Sequence, residues 1–252
     1  MEIKIVSWNM CYEINYKEPQ VPWNYILNKC KYSPDIVCFQ EGYTMDINGQ
    51  CIFNESETNK KTPRWGTGIF VRQKFEFSKI VRINYPKINI INNRVTRFDK
   101  TVIGKIEINN KDLYLVSTHI DSSKKSRENF ITVNDDVILD HIEEVFSILT
   151  PLLKDKSCII CGDFNADRSM GVTYKEIFNR ICSQYDEWQY IHDGHETQTY
   201  FGQQMSIRNH YQDDHIFISK NLSKNIKEIF VGNYGQVKKI SDHTPIFMSI
   251  EI

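Results

Sequence analysis

Polar residues of a restricted set stand at the ends of short apolar runs in this chain. Asn9 follows Ile5-Val6-Ser7-Trp8, Gln40 and Glu41 follow Ile36-Val37-Cys38-Phe39, and His119 follows Tyr114-Leu115-Val116-Ser117-Thr118. Asp163 and Asn165 come after Ile159-Ile160-Cys161-Gly162, while Asp242 and His243 precede Thr244-Pro245-Ile246-Phe247. One polar residue past a buried strand is an ordinary turn or cap residue. Five strand ends that each offer Asn, Asp, Glu or His are harder to explain that way, because strand ends are where sheet enzymes gather catalytic groups. The inventory suits metal-assisted cleavage of a phosphoester. Carboxylates and amide oxygens ligate a hard divalent cation, Mg²⁺ or Mn²⁺, which needs only one or two carboxylates beside water and substrate phosphate. Histidines move protons near pH 7.

Other chemistries lack their signatures. The chain has no Ser nucleophile elbow, no P-loop and no GxGxxG, which leaves covalent acyl chemistry and nucleotide-fold readings without support. Cys158 and Cys161 have the spacing of a C-x-x-C motif, but within a strand residues three apart point to opposite faces, so core packing is expected.

The elements that must position these groups are legible as apolar runs: Ile3 to Trp8, Ile36 to Phe39, Gly68 to Val71, Thr101 to Ile108, Leu113 to Ser117, Cys158 to Cys161, His215 to Ser219 and Pro245 to Ile250. Their pattern predicts strands, several of them buried on both faces. Val137, Ile138, Ile142, Val145, Phe146, Leu149 and Leu152 follow helical spacing from Val137 to Leu153, with Asp135, Asp136, Asp140, Glu143 and Glu144 on the outer side. Weaker helices are expected over Trp23 to Lys31, stopped by Ser33-Pro34, and over Thr173 to Tyr185. Asn48 to Arg64, Pro86 to Arg97 and Asp121 to Asn134 read as long loops. Strands mixed with helices imply a layered α/β sheet protein.

Composition agrees. At 252 residues with 40% hydrophobic and 25% charged side chains, the chain belongs to neither the disordered nor the fibrous classes and can bury one large core. A single domain over residues 1–252 is expected. Lys and Arg total 31 against 32 Asp and Glu, a net charge of -1, so no global positive field draws it to a polyanion. Seven cysteines, an odd number without a secretory leader, point to reduced thiols and a cytoplasmic protein. No apolar run is long enough to cross a bilayer.

Ser7-Trp8-Asn9-Met10, Gln40-Glu41, Ser117-Thr118-His119-Ile120, Gly162-Asp163-Phe164-Asn165-Ala166, Asp214-His215-Ile216-Phe217 and Ser241-Asp242-His243-Thr244-Pro245 stand in this order along the chain. Together they resemble the signatures of the endonuclease/exonuclease/phosphatase (deoxyribonuclease I-like) superfamily. The resemblance implies a four-layer α/β/β/α sandwich of two packed mixed β-sheets flanked by helices, with one catalytic cleft at the strand ends. It also implies roles. Glu41 holds the main divalent ion, Mg²⁺ or Mn²⁺, with Asn9 beside it and Asp242 nearby. Asp163 and Asn165 align the attacking water and a non-bridging phosphate oxygen. His243 acts as general base or phosphate ligand, with Asp214 accepting its other N–H, and His119 donates to the phosphate or protonates the leaving oxygen. Asp213 is the close rival of Asp214. Asp214 is preferred because it stands directly before the His215-Ile216-Phe217 strand, which leaves Asp213 solvated; His215 is read as structural. Arg94, Arg97 and Thr199 are candidates for substrate contact.

Thr118-His119 departs from the exonuclease III branch, which carries Tyr at this point, and the acidic residue that supports the corresponding His in deoxyribonuclease I has no match near Gly66 to Val71. Lys60-Lys61-Thr62-Pro63-Arg64-Trp65 and Lys124-Lys125-Ser126-Arg127 are loose candidates for phosphate tracking. The expected activity is that of a Mg²⁺-dependent phosphodiesterase on nucleic acid or a nucleotide, acting as a monomer. The alternatives are a phosphatase or phosphodiesterase of lipid or inositol headgroups and a catalytically silent effector.

Overall fold

The computed structural model describes residues 1–55, 64–72, 80–84, 90–91, 94–95, 100–125, 131–133, 135–187, 197–202 and 212–252. His192, His195, His210, Lys60, Lys61 and Arg127 fall outside them.

One six-stranded sheet contains β1 (Glu2–Asn9), β2 (Ile36–Tyr43), β3 (Gly49–Glu55), β4 (Trp65–Arg72), β15 (Ile226–Val231) and β16 (Ile246–Glu251), in the order β15-β16-β1-β2-β4-β3. The other contains β5 (Val81–Arg82), β8 (Thr101–Ile108), β9 (Lys111–His119), β12 (Cys158–Asp163), β13 (Tyr185–Glu187) and β14 (Asp214–Ser219), in the order β13-β14-β12-β9-β8-β5. Both are mixed. β1 and β2 run parallel, as do β9 and β12, and the other neighbours pair antiparallel. Two hairpins lie apart, β6 (Ile90–Ile91) with β7 (Arg94–Val95) and β10 (Ser123–Lys125) with β11 (Ile131–Val133).

Alternation along the strands builds the layers. Ile3, Ile5, Cys38 and Ile69 of the first sheet pack against Leu115, Ile159, Cys161 and Ile216 of the second. The opposite face of the second sheet, through Val116, Ile160 and Phe217, is covered by α3 (Asp135–Leu153) and α4 (Val172–Cys182). The opposite face of the first, through Val6, Trp8 and Phe39, is covered by Trp23 of α2 (Gln20–Asn24), by Ile26 and by Val237 of α6 (Tyr234–Val237). The short helices α1 (Tyr12–Asn15) and α5 (Lys220–Ser223) follow β1 and β14. The result is the four-layer α/β/β/α sandwich. Cys158 faces the helices and Cys161 the second sheet's partner, on opposite faces as strand geometry requires.

Three local expectations need correction. Trp23 to Lys31 is not one α-helix: α2 runs into a π-helical turn, Tyr25–Lys29, closed by the Cys30 N–H donating to the Tyr25 carbonyl at 2.8 Å. The Thr173 to Tyr185 helix stops at Cys182 because Tyr185 pairs with Ser219 as the edge strand β13. Gly49–Glu55, read as loop, is β3, paired along its whole length with β4. As an edge strand it keeps one side in solvent, so polar residues in it hid the strand signal.

Gly162 shows how tightly the strands fit beside the motif residues. It lies opposite Thr118 on β9, and a Cβ built there comes within 2.0 Å of the Thr118 carbonyl oxygen. Backbone cannot yield as a flexible side chain does, so Gly162→Ala is expected to cost about 1–3 kcal/mol. For a chain of this size that lowers the melting temperature by about 2–12 °C, which differential scanning calorimetry reads directly; an unchanged melting temperature contradicts the argument.

Candidate active site

Topology gathers the motif residues. Parallel β1 and β2 end together, as do β9 and β12, and β14 and β16, antiparallel to their neighbours, begin where those strands end. Asn9 therefore lies beside Gln40, and Asp163 lies between His119 on one side and Asp214 on the other. The Asn9 amide joins the sheets by donating to Asp163 Oδ2 at 2.8 Å, while its Oδ1 accepts the Cys11 N–H at 2.9 Å. Gln40 makes a second bridge, donating to Ser117 Oγ at 2.9 Å. Ser241 ties the last motif to the first: its hydroxyl donates to the Asn9 carbonyl at 2.7 Å and accepts the His243 N–H at 3.0 Å.

The backbone bends sharply at these positions. Cys11, Glu41 and Asn165 have φ of 48°, 49° and 48°, in the left-handed region. For Glu41, which has no local side-chain reason to adopt it, this costs of order 1–3 kcal/mol. The bend accompanies a break in the β2–β4 register between Phe39 and Gly42. A bulge of this kind re-aims a side chain.

Asp163 is buried and accepts from two directions, Asn9 Nδ2 on Oδ2 and the Asn165 N–H on Oδ1 at 2.8 Å. Asn165 donates in turn to the Ile120 carbonyl at 2.9 Å. His243 lies buried with Nδ1 2.8 Å from Asp214 Oδ2 and Nε2 3.8 Å from Asp163 Oδ2. Burial alone lowers an imidazole's pKa, but the Asp214 and Asp163 carboxylates outweigh it and hold His243 well above its ordinary value. His119 goes the other way. Its Nε2 stands 3.5 Å from Glu41 Oε1 and 3.8 Å from Asp163 Oδ2, yet burial and the nearby Lys100 ammonium push it down to about 4. A ring held neutral can still donate a hydrogen bond to a phosphate oxygen. Its Nδ1 is buried with no hydrogen-bond partner among the described residues, and Gly66 to Val71 supplies no acid.

Lys100 escaped the sequence reading. Thr101 pairs with Thr118 across β8 and β9, which sets Lys100 beside His119, where it forms a largely buried ion pair with Asp121. Only the register reveals this. Asp213 is a correction: it is 4% exposed rather than solvated, with Oδ1 buried and without a hydrogen-bond partner among the described residues, and burial and then Asp163 raise its pKa well above a carboxyl's ordinary value. Thr199 is fully buried and its hydroxyl accepts the Asp214 N–H at 3.0 Å, so it braces Asp214 instead of facing a phosphate. Arg97 and the side chain of Arg94 lie outside the described residues. His215 is enclosed, with Nδ1 2.6 Å from Glu187 Oε1 and Nε2 2.7 Å from the Ala166 carbonyl. It anchors the loop that carries Asn165.

The donor set fits a hard cation. Asp163, Asp214 and His243 offer ligand atoms within 4.8 Å of one another, but those atoms already serve the bonds described above. Glu41 is freer. Burial, and then the charge of Asp163, push its carboxyl up to about 8 against the opposing charges of Lys100 and His243, and Asp242 adds to the repulsion. Asp214 Oδ1 is a further buried oxygen with no hydrogen-bond partner among the described residues. Burial of Cys11, followed by the charges of Asp242 and Glu41, keeps it a neutral thiol, so the donors left are oxygens, which suit a hard divalent cation rather than a soft metal.

A two-sheet sandwich with carboxylate, amide and imidazole groups gathered at its strand ends defines a class of phosphoester-cleaving folds. The chain matches the Endonuclease/Exonuclease/phosphatase family over residues 6–243 and belongs to it. Among solved structures it is similar to humanized TDP2 from D. rerio, at 15% identity and TM-score 0.68, covering 100% of this chain and 99% of that one. An AP endonuclease from Archaeoglobus fulgidus is similar at 16% identity and TM-score 0.64, covering 99% and 100% respectively. The human nocturnin catalytic domain is similar at 18% identity and TM-score 0.64, covering 99% and 93%. At these identities the likeness is one of fold. No curated protein matches the sequence.

Proposed function

We propose that the protein is a divalent-metal-dependent phosphodiesterase that hydrolyses nucleic acid or a nucleotide. The observation that carries this reading is the His243–Asp214 pair, which points His243 Nε2 toward Asp163. Asp214 holds the Nδ1–H and fixes the ring, so Nε2–H is the proton offered to a non-bridging phosphate oxygen. Asp163, held by Asn9 and Asn165, orients water and takes its proton as the new O–P bond forms and the opposite P–O bond breaks. The leaving oxygen takes its proton from solvent, while His119 and Asn165 donate hydrogen bonds. A divalent cation at Glu41 and Asp242 supplies, when bound, positive charge against the phosphate.

The family and one of the similar folds, an AP endonuclease, support the nuclease side of this reading. No helix among the described residues is long and apolar enough to cross a membrane. The test is hydrolysis of bis-p-nitrophenyl phosphate, p-nitrophenyl phosphate and a single-stranded oligonucleotide with Mg²⁺, Mn²⁺ or EDTA. Metal-dependent cleavage of the diester and the oligonucleotide is expected. Phosphate release from monoesters or inositol phosphates with both diesters intact overturns the proposal in favour of a phosphatase.

A further inference from the structure

Two aromatic pairs flank the acidic centre. Tyr12 and Trp65 stack with centroids 3.9 Å apart and planes 3° from parallel, and Phe201 and Tyr234 stack at 4.0 Å and 7°. Core pairs vary in angle, from Phe39 on Phe53 at 20° to Phe146 on Phe217 at 87°, and none there has centroids as close as these two. All four stacked rings are half-buried.

The first pair borders Glu41. Tyr12 follows Cys11, is close enough to Glu41 to feel its charge, and its carbonyl accepts the Tyr43 hydroxyl at 3.2 Å. Trp65 opens β4 and has the Lys100 ammonium 5.9 Å from its ring centroid. The second pair borders His243. The Phe201 N–H donates to the Asp242 carbonyl at 2.7 Å, and the neighbouring Tyr200 ring packs on the His243 ring at 4.8 Å.

We propose that the Tyr12–Trp65 and Phe201–Tyr234 pairs are stacking platforms for the nucleobases on either side of the scissile phosphate, and that the substrate is therefore single-stranded nucleic acid. This rests on the phosphodiesterase reading for the identity of the bond cleaved, but not for binding. A base in a duplex has both faces covered by its neighbours, whereas an unstacked base offers a free face to an aromatic ring. With a net charge of -1 the chain lacks a general attraction for polyanions, so stacking must supply much of the affinity. Rings already stacked on each other are ordered before the ligand arrives, which reduces the entropy lost on binding.

The experiment measures binding of a fluorescein-labelled single-stranded oligodeoxynucleotide to the full chain in EDTA, beside its duplex and the same strand with abasic spacers replacing its bases. Each stacked base is worth about 1–3 kcal/mol, a 5- to 150-fold change in Kd. Tyr12→Leu and Phe201→Leu are each expected to weaken single-strand binding by about that factor, while Tyr12→Phe, which keeps the ring, stays within about twofold of the native chain. The abasic strand and the duplex should bind the native chain as weakly as the intact strand binds the Leu variants. Equal affinity for intact and abasic strands, or Tyr12→Phe losing as much as Tyr12→Leu, overturns the proposal. Base-dependent binding without hydrolysis of any phosphodiester leaves the platforms standing and removes the phosphodiesterase; metal-dependent hydrolysis of bis-p-nitrophenyl phosphate without base-dependent binding does the reverse.

Discussion

Glu41→Gln is expected to lower phosphodiester hydrolysis by about 10³-fold or more while raising the melting temperature of the metal-free protein. The loss follows from removing the carboxylate best placed for the cation, whose charge stabilisation of the transition state is worth several kcal/mol, with each 1.4 kcal/mol a factor of ten. The gain follows from linkage. Burial and Asp163 raise the Glu41 pKa from 4.5 to about 8. Between those values the native state binds a proton that the unfolded chain releases. The stabilisation is complete below the unfolded value and is lost as pH rises through the native one. At pH 9 in EDTA the native chain therefore carries an uncompensated carboxylate that the amide lacks. With a side chain 19% exposed, relief of on the order of 1 kcal/mol, about 2–4 °C for a chain of this size, is expected. The difference should shrink at pH 6 and vanish when Mg²⁺ is added. A variant that melts lower than the native protein at pH 9, or that retains hydrolysis, removes Glu41 from the cation site.

His243→Ala is expected to reduce kcat by about 10²–10⁴-fold, the range for a positioned proton-carrying group. Asp214→Asn separates orientation from charge. Burial lowers the His243 pKa, and Asp214 is the first of the groups that raise it, so removing that charge lets the value fall. If the protonated ring is the working form, activity in the native enzyme persists toward alkaline pH, and the alkaline limb of kcat/KM in Asp214→Asn moves to lower pH. A pH profile that keeps its shape in the variant, with only the height reduced, assigns Asp214 to orientation alone. An unchanged rate for His243→Ala removes that residue from the chemistry.

The sequence alone carried the strands and their polar ends, because both are local. Apolar runs bounded by turns form strands wherever they pack, and Asn9, Glu41, His119, Asp163 and His243 stand where those runs stop. The layered class followed from the mixture of strands and helices, and the sandwich itself from the resemblance. What the chain could not show was decided laterally. Lys100 meets His119 only because Thr101 pairs with Thr118. Asp213 is buried only because the adjacent elements close over it, and its neighbour Asp214 reaches His243 across 29 positions of sequence. Gly49–Glu55 became a strand because β4 offered an open edge, although its own polar residues argued for a loop. Backbone periodicity is set by nearest neighbours, but burial, ion pairing and protonation depend on which distant strand lies alongside, and register settles that.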